Sequence, residues 1–75
     1  MDDLVRYIAE NLVEDPGAVH VDVRERGRMV ELRLRVARED MGRVIGKGGR
    51  IANAMRSLVR VAALKQGQRV NLEIR

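Results

Sequence analysis

The residues best placed to do chemistry form one short run, Val44-Ile45-Gly46-Lys47-Gly48-Gly49-Arg50-Ile51. Apolar residues bracket a four-residue linker, and three of the four linker residues are glycine. Glycine lets the backbone turn sharply and lets another backbone approach without a Cβ in the way. Where such a run joins two helices, the N–H groups that open the second helix face the loop, with the positive end of its dipole behind them. That end of a helix binds phosphate, and Lys47 and Arg50 add formal charge at the same place. The chemistry on offer is recognition of phosphate.

Bond-making chemistry has little to draw on. The chain holds one His (His20), one Ser (Ser57), one Tyr (Tyr7), and neither Thr nor Cys. A nucleophile–base pair or a His/Cys metal site lacks its parts, and most carboxylates fall at helix starts or alternate with Arg on strands. The sequence reads as a binding protein without enzymatic activity, cofactor or metal. The absence of cysteine also removes disulfides and fits a reducing compartment.

Three readings of the glycine run compete. A Walker-type phosphate loop needs one more residue between its glycines, and Gly48 stands where its magnesium-binding Ser or Thr belongs. A plain helix–helix turn with glycine as cap and corner is the bland reading. The third is the Gly-x-x-Gly turn that clamps the backbone of about four nucleotides. The surrounding elements decide which context the run sits in.

Asp2 and Asp3 suit a helix N-terminus; Leu4, Val5, Ile8 and Leu12 recur at helical spacing to about Val13, before the breaker Asp15-Pro16-Gly17. Val19, Val21 and Val23 then alternate with His20, Asp22 and Arg24. After a turn at Arg26-Gly27-Arg28, Val30, Leu32, Leu34 and Val36 alternate with Glu31, Arg33 and Arg35. This is a hairpin of two half-buried strands. A short helix from Arg38-Glu39-Asp40 ends at Gly46. A second begins near Gly49 or Arg50, with Ile51, Met55, Leu58 and Ala62 as its expected core stripe and Gly67 as its C-terminal cap. A last strand, Arg69 to Arg75, turns Val70, Leu72 and Ile74 inward. The expected fold class is α+β in the order α-β-β-α-α-β, one domain over residues 1–75, with three helices on one face of a three-stranded sheet.

In this context the run Val44 to Ile51 resembles the KH signature, apolar-Ile-Gly-x-x-Gly with a basic residue at an x position and an isoleucine soon after it. The element order resembles the type II KH arrangement of bacterial proteins. The stretch Arg38 to Ala63, with Met41-Gly42-Arg43 leading into the run, is similar to the small stand-alone KH proteins of the KhpA family, over essentially the whole chain. The resemblance implies a groove for single-stranded RNA beside the loop, lined by Arg43, Val44, Ile45, Gly46, Lys47, Gly48, Gly49, Arg50, Ile51 and Asn53. It further implies a role as a post-transcriptional regulator or RNA chaperone. As partners it implies a homodimer, or a heterodimer with a larger KH-containing, KhpB-like protein. The third glycine, Gly48, leaves charge at only one x position, from which a looser loop is expected. Tyr7 is the only aromatic residue, which disfavours modules that bind by aromatic stacking.

The net charge of +4 is unevenly spread: residues 1–15 carry one Arg and five acids, whereas residues 41–72 carry seven basic side chains and no acid. A one-signed stretch of this kind is a candidate phosphate surface. A chain of 75 residues has a thin core, which a second copy would help stabilise. Val61 and Leu64 fall off the expected core stripe, making them candidates for a dimer interface that would support an adaptor role. No apolar run is long enough to span a membrane, and the acidic start Met1-Asp2-Asp3 is unlike a secretory signal, so the cytoplasm is the expected location.

Overall fold

A computed structural model describes all 75 residues. Helix α1 (Asp2–Leu12) starts on its two aspartates and buries Val5 and Ala9. It stops ahead of a 3-10 turn at Pro16–Ala18. Strands β1 (His20–Arg26) and β2 (Met29–Arg35) form an antiparallel hairpin running from His20↔Arg35 to Arg26↔Met29. Its two-residue loop puts Gly27, at φ +57°, in the first central position, where hairpin turns favour glycine. A 3-10 turn at Arg38–Asp40 runs into the short helix α2 (Met41–Ile45). The glycine loop follows, then α3 (Arg50–Lys65) and β3 (Arg69–Ile74). Strand β3 lies parallel to β2, so the sheet is mixed, with order β1-β2-β3.

Helix α3 closes as a Schellman motif. The Gln68 N–H donates to the Ala63 carbonyl at 2.8 Å and the Gly67 N–H to the Leu64 carbonyl at 3.1 Å, with Gly67 left-handed at φ +67°. The expected cap is therefore in place, and it turns the chain directly into β3.

One face of the sheet carries the core. Val30, Leu32, Leu34 and Leu72 meet Val5 and Ala9 of α1, Val44 of α2, and Met55 and Val59 of α3. Two expected assignments need correction. The buried stripe of α3 is Ala52, Met55, Val59 and Ala63. Leu58, placed in the stripe from the sequence, is 49% exposed, and Ala62 and Ile51 are half-buried. The helix is apolar on two sides, and the sheet selects the other phase. Val23 keeps its inward register opposite Leu32 but is exposed, because β1 is an edge strand and no helix covers that corner. In α1, Leu4 is likewise exposed.

The other sheet face is polar. Glu73 pairs with Arg33 at 3.4 Å and Arg75 at 2.9 Å, and Asp22 with Arg35 at 3.4 Å. The hydrogen bond from Arg75, with Arg33 nearby, holds the Glu73 carboxyl below its ordinary range. These exposed pairs contribute little to stability. They leave this face less basic than its arginine content implies.

Candidate nucleic-acid interface

Three glycines make the loop's path possible. Gly46, Gly48 and Gly49 have φ of +76°, +64° and +80°; Gly48 and Gly49 are left-handed, which costs an L-residue about 1–2 kcal/mol, whereas Gly46, at ψ 170°, takes a conformation essentially reserved for glycine. Gly48 takes a left-handed step that the turn requires. Gly46 is also sterically fixed: a Cβ there would lie 2.7 Å from Ile51 Cγ1 and 3.0 Å from the Ile51 nitrogen. Gly46 and Ile51 thus close the base of the loop against each other. The Gly49 N–H donates to the Gly46 carbonyl at 3.1 Å, which tightens the turn. No side chain caps α3, so the positive end of this 16-residue helix faces the loop without a carboxylate.

Lys47 and Arg50 are exposed, and neither has a carboxylate in salt-bridge range. Arg43 sits differently. Its Nη2 pairs with Glu14 at 2.7 Å and its Nε with Asp40 at 3.2 Å. Asp40 is buried and also accepts the Glu14 and Asp15 N–H groups at 3.1 and 3.2 Å. The Arg43–Asp40 pair fastens α2 to the chain after α1 and so fixes the angle at which α2 enters the loop.

The remaining expected site residues separate by burial. Val44 is fully buried in the core and supports the groove floor without presenting surface to a ligand. Ile45 is exposed and Ile51 half-buried, giving an apolar lip beside the loop. Asn53 is exposed one turn into α3, its Nδ2 over Gly49. Its Oδ1 accepts from Arg56 Nη1 at 3.3 Å, while Arg56 Nε donates to the Leu72 carbonyl, also at 3.3 Å. Arg56 thereby ties α3 to β3 and holds the Asn53 amide with its donor end toward the loop. Sequence reasoning missed Arg56; its signal was the i, i+3 spacing to Asn53 on the acid-free stretch. The assembled surface has an apolar lip, a cationic rim, an uncapped helix end and one oriented amide. It can hold a phosphodiester backbone and offer donors to a base.

The comparisons with known proteins agree with this geometry. The family model described as KhpA/KhpB, KH domain, matches residues 2–74. A protein of Caldanaerobacter subterraneus subsp. tengcongensis, named RNA-binding protein KhpA, is 51% identical over 74 residues, 99% of either chain. The proteins of that name from Clostridium perfringens and Treponema pallidum are each 47% identical. The first match covers 99% of both chains, and the second covers 97% of this chain and 91% of the relative. No solved structure gives a significant match. With the α-β-β-α-α-β order, the mixed sheet and the Gly-x-x-Gly loop between α2 and α3, the chain belongs to the KhpA/KhpB family of KH domains.

Proposed function

We propose that this protein binds single-stranded RNA, holding about four nucleotides beside the loop Gly46-Lys47-Gly48-Gly49, and acts in the cytoplasm as a post-transcriptional regulator or RNA chaperone without catalysis. The observation that carries this reading is the left-handed glycine turn against an uncapped helix end, flanked by two cations that no carboxylate neutralises. Lys47 and Arg50 take the phosphates, and the Asn53 amide and the Ile45–Ile51 lip face the bases. Arg43 keeps α2 in place and reaches a phosphate only by leaving Glu14.

Unpaired RNA is expected to bind more tightly than a blunt duplex, because the groove takes unstacked bases. With Lys47 and Arg50 as two contacts, the slope of log K against log salt is expected near −1.4, at about 0.7 per contact; recruitment of Arg43 takes it to about −2. Anisotropy titrations across a salt series measure this. A slope near zero, or equal affinity for duplex, overturns the reading.

A second surface supports self-association or an adaptor role. On α3, opposite the core stripe, Leu58, Val61 and Leu64 are 49%, 54% and 68% exposed, and Ala54 continues the row. A two-fold dimer would place this row against its own copy, each covered aliphatic contributing about 1.5–3 kcal/mol. A larger KH-containing, KhpB-like protein could take the same surface. Val61→Arg is expected to give a folded monomer, since the two new charges meet across the axis. Sedimentation velocity tests this. Wild-type protein that is already monomeric at ~100 μM, where an association of about −5 to −6 kcal/mol shows, removes the homodimer.

A further inference from the structure

Beyond the loop, the basic stretch does not end; it follows α3. Asn53, Arg56, Arg60 and Leu64 lie at i, i+3, i+7 and i+11, one flank of the helix. The Arg56 bond to the Leu72 carbonyl shows that this flank runs beside β3. From Arg50 to Arg60 the helix rises about 15 Å, at about 1.5 Å per residue. At its far end lies the tip of the β1–β2 hairpin, because Met29 is in register with Arg69, whose N–H donates to the Arg28 carbonyl at 2.8 Å.

That end of the molecule is cationic and unneutralised. Arg26, Arg28, Arg60 and Arg69 are exposed, and none has a carboxylate within salt-bridge distance. The arginines at the opposite end of the polar sheet face are, by contrast, paired: Arg33 and Arg75 with Glu73, Arg35 with Asp22. Two acids flank this end, Glu25 on the helix-side face opposite Val30 and Glu31 on the polar face two positions beyond Met29, and neither pairs with these arginines. Between Arg60 and Arg69 lies a shallow depression of about 320 Å³, floored by Met29, Leu64 and Val70. This is the small end of the range for ligand sites, roughly 300–1,000 Å³. An apolar floor inside a rim of guanidinium groups suits a base flanked by phosphates, since guanidinium groups contact phosphate in a bidentate manner and stack on planar rings.

We propose that single-stranded RNA leaving the glycine-loop groove follows the β3 side of α3 and is gripped a second time at the hairpin end. Arg60 and Arg69 hold its phosphates, with Arg26 and Arg28 beyond them, and one base rests on Met29, Leu64 and Val70. This rests on the groove reading above and extends its footprint past four nucleotides. Leu64 stands between Arg60 and Val61 around the helix, about 40° and 60° from each, so it borders both this depression and the apolar row.

The test uses the full chain and two unstructured RNA oligonucleotides, of about 5 and about 12 nucleotides. Arg60→Gln with Arg69→Gln is expected to weaken the longer RNA about tenfold. Its salt slope should also shrink by about 1.4, for two contacts at about 0.7 each. The shorter RNA should change less than twofold. Arg26→Gln with Arg28→Gln, exposed on the hairpin and not part of α3, is expected to act in the same direction and guards against an effect of the first pair on helix packing. Equal losses on both RNAs, or none on the longer one, overturn the second grip. The groove reading fails separately: Lys47→Asp with Gly48→Asp would then leave the shorter RNA bound.

Discussion

Replacing Lys47 and Gly48 together by aspartate is expected to abolish RNA binding in a domain that stays folded. The pair of changes removes one cation and places two carboxylates at the helix end where phosphate would sit. A hydrogen bond to a charged group contributes about 1.5–3 kcal/mol, and about 1.4 kcal/mol is tenfold in affinity. Loss of Lys47 alone therefore costs at least about tenfold, before repulsion by the carboxylates is added. The fold has little stake in either side chain. Both residues are exposed, and a Cβ at Gly48 meets nothing within 4 Å. The left-handed φ remains a cost, but Asp is among the residues that tolerate it best. Anisotropy with RNA and circular dichroism on the same samples check both halves. A folded variant with unchanged affinity would place the RNA elsewhere.

The second large effect is on stability. Gly46→Ala is expected to destabilise the domain by about 2–6 kcal/mol, combining about 1–3 for an L-residue forced to a positive φ with an extended ψ with about 1–3 for overpacking. Gly48→Ala meets only the milder cost of a left-handed residue and no clash, so it should lose only about 1–2 kcal/mol. For a domain of this size, 1 kcal/mol moves the melting midpoint by about 4–8 °C. Gly46→Ala should therefore melt at least about 4 °C below Gly48→Ala in calorimetry. Equal midpoints would mean that Ile51 yields to the added methyl. The comparison separates a glycine needed for a left-handed step from one needed both for a glycine-only conformation and for space.

Much of this was readable from the residues. The strands announced themselves through alternation, the breaks at Pro16-Gly17 and Gly67 fell where written, and the glycine run sat between two helices. What failed did so for physical reasons. In α3, Leu58, Val59, Val61, Ala62, Ala63 and Leu64 are all apolar, so periodicity has no unique phase until the sheet chooses Val59 and Ala63. Val23 alternates correctly, but alternation reports only which face a side chain takes, and no helix lies above it. The pairing of Arg43 was not legible, because its partners Glu14 and Asp40 lie 29 and 3 positions away, and the longer of those separations has no local signature. Arg56 was passed over for a related reason, since its partner is a backbone carbonyl of β3.

The parallel pairing of β2 with β3 also bears on how the chain reaches this structure. The β1–β2 ladder begins with Arg26 and Met29, three positions apart, and can zip outward from the turn. The β2–β3 ladder joins Met29 to Arg69, forty positions apart, so closure entropy must be met before any of its hydrogen bonds form. Between those two strands lie α2, the glycine loop and all of α3. The hairpin should thus precede the site in time, and the groove comes into being only with the final long-range closure. A chain stalled at the hairpin stage presents arginines but no groove. On the proposed reading, RNA in the groove binds the closed state alone, and by mass action it would draw the last step of folding toward completion.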